Sequence, residues 1–120
     1  MVSLKSKKPA APQPPMRRLA APRVMTMPLT EVFEKRRTSR DFSDETVSDE
    51  DLAAVLWAAD GINRKDGRRT TPSAMNWQEI DLYVVKANGV WLWDAKNSAL
   101  VFVKDHDRRK DLCLWQPLVK

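Results

Sequence analysis

Proline is concentrated at one end of this chain, and that distribution limits what can fold. Pro9, Pro12, Pro14, Pro15, Pro22 and Pro28 lie in the first 28 residues, and only Pro72 and Pro117 lie beyond them. Each proline removes a backbone donor and fixes φ, so a segment this rich in them supports neither a helix interior nor a central strand. Few bulky apolar groups accompany them. Residues 1–28 therefore read as an extended or disordered leader, and the folded unit is confined to 29–120. The leader carries Lys5, Lys7, Lys8, Arg17, Arg18 and Arg23 with no acid, so it accounts for more than the whole net charge of +5. A basic tail of this kind can bind nucleic acid or an anionic membrane nonspecifically, or can simply be solvated. No interleaved aromatic residues organise the charges into a nucleic-acid site.

Several classes are excluded by what is scarce. A single cysteine, Cys113, forms no internal disulfide framework and suits a reducing compartment, and a single histidine, His106, argues against a His-based metal site. No apolar run approaches the roughly 18 residues of a membrane span, and no apolar stretch follows the basic start as in a secretory signal. The expected location is cytoplasmic. His106 and Cys113 sit two helical turns apart, roughly 10 Å in rise, which is too far for a thiol–imidazole pair on one helix.

From Pro28 onward the pattern becomes helical. Leu29, Val32 and Phe33 recur at helical spacing, Thr30 can cap, and Glu31 and Glu34 occupy the early turns, where acids are favoured. The helix runs into Arg36-Arg37-Thr38-Ser39-Arg40-Asp41-Phe42. Arginine forks match phosphate oxygens and the hydroxyls add short-range donors, so the cluster suits an anion. It also fits a solvated helix end, where cations offset the terminal carbonyls. Ser48 then caps a second helix. Asp49, Glu50 and Asp51 fill its first turn, Leu52, Val55, Leu56 and Ala59 form its apolar stripe, Trp57 and Ile62 extend the buried face, and Gly61 is the expected left-handed stop.

Residues 63–71 read as a polar loop turning at Gly67 and ending at Pro72-Ser73-Ala74-Met75-Asn76-Trp77-Gln78. Small side chains at Ser73 and Ala74 let a ligand approach the backbone, and the amides of Asn76 and Gln78 can both donate and accept. A plain loop leading into a helical turn is the competing reading. Ile80 to Val85, Val90 to Trp93 and Ala99 to Val103 then form an antiparallel meander, with Asn88-Gly89 as a hairpin signal. Trp91 and Trp93 share a face, where they can stack on a ring system or pack across strands. A last helix starts at Asp105 or Asp107, carries Leu112, Cys113 and Trp115, and ends at Pro117.

The order of these pieces resembles the nitroreductase family over about residues 29–103, most closely its SagB-type dehydrogenase branch. The resemblance rests on Arg36-Arg37-Thr38-Ser39-Arg40-x-Phe42, on Leu56-Trp57-Ala58-Ala59-x-Gly61-Ile62-Asn63-Arg64, and on Asp66-Gly67-x-Arg69-Thr70-x-Pro72-Ser73-Ala74-x-Asn76-x-Gln78 before a strand. It implies an α+β fold and an FMN-dependent oxidoreductase, usually a homodimer with flavin at the interface, that takes hydride from NAD(P)H and passes electrons to an acceptor. By position, Arg36, Arg37, Thr38 and Arg40 would hold the FMN phosphate and ribityl groups. Pro72, Ser73, Ala74, Asn76 and Gln78 would lie against the isoalloxazine ring, often from the partner subunit. The flavin supplies the chemistry, so no catalytic side chain is required.

Members of the family are considerably longer. The expectation is therefore an incomplete nitroreductase-like fold of two short helices and a small antiparallel sheet behind a disordered leader, as a truncated and inactive form would have. A noncatalytic binding module, using the basic tail toward nucleic acid or a protein, is the alternative from a different class.

Overall fold

A computed structural model of the chain describes residues 14–112. The architecture is α+β, as expected, and its centre is a four-stranded antiparallel sheet in the order β1-β4-β3-β2. The strands are β1 (Met16–Arg18), β2 (Tyr83–Lys86), β3 (Gly89–Asp94) and β4 (Ala99–Lys104). Helix α1 (Leu29–Lys35) and α2 (Asp49–Asp60) precede the meander, a single 3-10 turn covers Ala74–Asn76, and α3 (Arg109–Leu112) follows it. Cys113, Trp115 and Pro117, expected in the last helix, lie outside the described residues.

The meander forms from the three apolar runs expected of it, but its first strand starts at Tyr83 and not at Ile80, and its first turn is shifted. Lys86 pairs with Gly89, so the two-residue turn is Ala87-Asn88 and not Asn88-Gly89. Gly89 sits inside β3 at φ 128°, a conformation that side chains oppose, and its backbone lies close to the Lys104 carbonyl and the Phe102 ring. Beside it the register slips from Val90↔Lys104 to Trp91↔Phe102, which leaves Val103 as a bulge. At the second turn Asp94 accepts from the backbone N–H groups of Lys96 and Asn97 and from the Asn97 amide. Partial burial pushes its carboxyl up, and the bonds from Asn97 and Lys96 outweigh that, holding it below its ordinary range.

The core lies between this sheet and α2. Leu56, Trp93, Ala95 and Leu100 are its buried centre, with Leu52, Ile62, Leu82, Val84 and Trp91 packed around them. Leu100 is 1% exposed, and burying it contributes roughly 2 kcal/mol. Trp91 meets Phe102 edge-on at 5.2 Å across strands, so the tryptophans pack within the sheet.

Ser48 caps α2 as expected, accepting the Asp51 N–H through its hydroxyl. The buried stripe is displaced from the expected one. Ala53, Ala54, Leu56 and Asp60 are buried, whereas Val55, Trp57 and Ala59 are exposed. Gly61 ends the helix with extended angles, φ −83° and ψ 155°, and is not left-handed. Glycine is needed there because a Cβ would sit 2.5 Å from the Trp57 carbonyl oxygen. Helix α1 differs too. It begins directly after Pro28, with Thr30 inside the helix and no side-chain cap.

Where it is described, the leader takes the extended one of the two expected forms, and residues 15–23 are held to the rest of the fold. Met16–Arg18 form β1 on the outer edge of β4, flanked by Phe102 N–H donating to the Pro15 carbonyl and Leu19 N–H donating to that of Ser98. Pro14 and Pro15 precede this pairing, where a missing donor does no harm on an edge strand. Arg17 pairs with Asp49 and Arg23 with Asp51, so the leader's cations rest on the acidic first turn of α2. Residues 1–13, with Lys5, Lys7 and Lys8, lie outside the described part.

Candidate functional site

The first site element follows α1. Its helix ends when the Arg36 N–H bonds the Val32 carbonyl at 3.0 Å and Arg36 turns extended. Arg36, Arg37, Thr38 and Arg40 are all exposed. Among the described residues, the side chains of these arginines have no ion-pair partner. Their forks remain available for an anion. Leu29 at 67% and Phe33 at 69% exposure show that α1 itself stands off the core.

The second element grows from the C-terminus of α2. Gly61 to Thr70 double back as a narrow ribbon that turns at Gly67, with Ile62 bridged to Arg69 and the Thr70 N–H on the Gly61 carbonyl. A helix leaves its last carbonyls without internal partners, and α2 has no basic residue in its last turn. The ribbon supplies what is missing. Thr70 Oγ1 donates to the Trp57 carbonyl, Thr71 Oγ1 to that of Ala59, and Arg69 Nη1 to that of Asp60. Arg69 also forms an ion pair with the buried Asp60 carboxylate at 2.5 Å.

This fastening fixes the Pro72–Gln78 loop. Met75, Asn76 and Gln78 take φ of 52°, 57° and 52°, left-handed values that cost non-glycine residues energy and persist only where surroundings hold them. Ser73 Oγ accepts the Gln78 N–H at 2.7 Å and donates to Glu79 Oε2 at 2.7 Å. The Gln78 side chain accepts from Arg69 Nη2 and donates to Asn76 Oδ1. A bond from its own backbone N–H and then the Ser73 hydroxyl hold the Glu79 carboxyl below its ordinary range.

Pro72, Ser73 and Asn76 line an open cleft of about 550 Å³. Ala74 is not on its wall, and Gln78 lines a small adjoining crevice. The Arg36–Arg40 segment lines neither cavity, so within one chain the two expected halves of the site do not share a cleft. Three arginines line the larger cleft, Arg64, Arg68 and Arg69, and sequence reasoning assigned them no role. The signal available was the Gly67 turn, which folds positions 64 and 68 back toward each other. Among the described residues no group of His, Cys, Asp and Glu could hold a metal, and no helix is long and apolar enough to cross a membrane.

The fold and these two elements define an α+β protein with an exposed arginine turn and a pinned, small-residue loop beside a basic cleft. Comparison with known proteins gives that class a family. The profile of the nitroreductase family matches residues 33–114. Among solved structures, a candidate nitroreductase from Ralstonia eutropha JMP134 is 30% identical with a TM-score of 0.78, over 94% of this chain. A search of curated proteins finds no match. The chain belongs to the nitroreductase family, and it spans 57% of the length of that solved relative.

Proposed function

We propose that this chain serves an FMN-dependent oxidoreductase of the SagB-type dehydrogenase branch, with NAD(P)H as hydride donor and a homodimer as the working unit. The observation that carries the reading is the Pro72–Gln78 loop, held in three left-handed residues by Ser73 and Arg69 beside the open cleft. Strain of this kind gathers at ligand sites, where a fixed backbone is worth its cost. Bound FMN would supply two-electron chemistry, accepting hydride from the nicotinamide and returning the electrons to an acceptor.

The side chains present suit that cofactor. The exposed forks of Arg36, Arg37 and Arg40 would take its phosphate, with the Thr38 hydroxyl beside them. Pro72, Ser73 and Ala74 would offer small surfaces to the ring, and the Asn76 amide keeps its N–H donors free among the described hydrogen bonds. Gln78 is already bonded on both sides of its amide, so its part is to hold the loop. A dimer would bring the arginine turn of one chain to the loop of the other and cover Leu29, Phe33 and Phe42, all more than 60% exposed. A reducing, cytoplasmic setting suits the single cysteine.

Titration of the purified full chain with FMN, followed by flavin fluorescence, tests the reading. Saturable uptake that falls at least about tenfold in an Arg36→Ala/Arg40→Ala variant is expected, since each charged hydrogen bond contributes roughly 1.5–3 kcal/mol. No uptake, or uptake unchanged in that variant, would sink it.

A further inference from the structure

The cleft beside the loop has a charge that the flavin reading does not use. Its wall carries Arg64, Arg68 and Arg69 with Thr70, Ser73 and Asn76, and no carboxylate. Arg69 is committed, bonded to Asp60 and Gln78. The other two are not. Arg64 has no ion pair among the described residues, and Arg68 meets Asp66 only at 3.6 Å, in a pair with both side chains more than half exposed. Such a pair contributes little and yields readily to a better partner. The Asp66 carboxylate is partly occupied in any case, accepting the Arg68 backbone N–H at 3.1 Å and thereby shaping the turn.

We infer that Arg64 and Arg68 form a subsite for a phosphate or carboxylate group of the second substrate, the molecule that exchanges electrons with the cofactor. The inference rests on the proposed flavin reading for the word substrate, and on the cleft alone for the anion. Arginine forks recognise both groups in bidentate fashion, and the Asn76 amide on the same wall, whose N–H donors are free among the described hydrogen bonds, can serve a remaining oxygen. An open cleft of about 550 Å³ admits a molecule of substrate size, whose anionic end the ribbon would hold at one side. The ribbon is fastened to α2, so the unpaired Arg64 and the weakly paired Arg68 are presented by a fixed backbone.

Inorganic pyrophosphate is the first probe, bound to the full chain and followed by calorimetry. An Arg64→Ala/Arg68→Ala variant should bind it at least about tenfold more weakly. A Lys7→Ala/Lys8→Ala variant, equal in charge change, should bind it as the parent does. No binding by the parent, or equal losses in both variants, would overturn the subsite. Pyrophosphate held at Arg64 and Arg68 by a chain that takes up no FMN would support the subsite and refute the flavin reading. FMN uptake that falls in this variant as far as in Arg36→Ala/Arg40→Ala would assign the anion to the cofactor and overturn the proposal.

With FMN-loaded protein, two arms identify the source. A rise in half-saturation for NAD(P)H in anaerobic flavin reduction assigns the group to the donor. A rise for para-nitrobenzoate but not for neutral para-nitrobenzyl alcohol assigns it to the acceptor. No rise in either arm counts against the inference.

Discussion

Arg69 Nη1 lies 2.5 Å from Asp60 Oδ2, in an ion pair whose side chains are 19% and 10% exposed. The same guanidinium bonds the Asp60 carbonyl and the Gln78 side chain, so one residue joins the end of α2 to the far end of the Pro72–Gln78 loop. Removing one partner of a buried pair leaves an uncompensated charge. Arg69→Ala should destabilise the chain by roughly 3 kcal/mol, the low end for such sites because some solvent reaches this one. Urea midpoints give the value. The double variant Arg69→Ala/Asp60→Ala should be milder than the sum of the singles, and strict additivity would show that the pair does not couple.

Gly61 gives a second test, because two reasons for glycine predict different rescues. A left-handed helix stop would tolerate asparagine, whereas close approach to Trp57 tolerates no Cβ at all. The angles are extended, and a Cβ at this position would overlap the Trp57 carbonyl. Gly61→Ala and Gly61→Asn should therefore both cost about 2 kcal/mol, with a shift in tryptophan emission as Trp57 moves. Rescue by asparagine alone would show that backbone conformation, not space, is limiting.

Much of this structure was legible because its causes are local. The Ser48 cap, the acidic first turn of α2 and the two hairpins of β2 to β4 each depend on residues a few positions apart. Strand β1 was not legible, since Met16–Arg18 find their partners at Ala99–Val101 and nothing near the prolines announces it. The stripe of α2 was misplaced because Asp60 is buried, which an apolar pattern cannot anticipate without its distant partner Arg69. Both proposed cofactor segments were visible as motifs. What the motifs could not show was that Ser73 and Gln78 spend their bonds within the loop, or that the cleft wall would belong to Arg64 and Arg68.

The link between Ser73 and Glu79 sets a pH dependence for the loop. The Glu79 carboxyl is depressed below its ordinary 4.5 by its own backbone N–H and by the Ser73 hydroxyl. A depressed acid stabilises the folded loop above its ordinary value, and that contribution is lost as pH falls through the folded one. Carboxyl chemical shifts should place the Glu79 midpoint below 4.5 in the parent and nearer to it in Ser73→Ala. Asp107 serves as an internal reference, because the Arg109 side chain and then its backbone N–H hold that carboxyl at about 2. A Glu79 midpoint that Ser73→Ala leaves unmoved would remove the hydroxyl from the account.

The bound leader makes the last prediction, and Leu19 separates docking from mere proximity. It follows β1 directly, donates its N–H to the Ser98 carbonyl and packs against the cluster of Leu56, Trp93 and Leu100. Truncating a half-buried leucine removes apolar area from that cluster, so Leu19→Ala should cost about 1.5 kcal/mol by urea unfolding. Arg17→Ala breaks only the exposed pair with Asp49, with side chains 48% and 29% exposed, and should cost less than about 1 kcal/mol. The ordering matters more than either value. A leader attached by charge would reverse it and would loosen with added salt, whereas one attached by strand pairing and Leu19 should hold across the same range. Equal, negligible effects from both substitutions would mean that residues 14–28 contribute nothing to the fold, and that β4 is itself the free edge of the sheet.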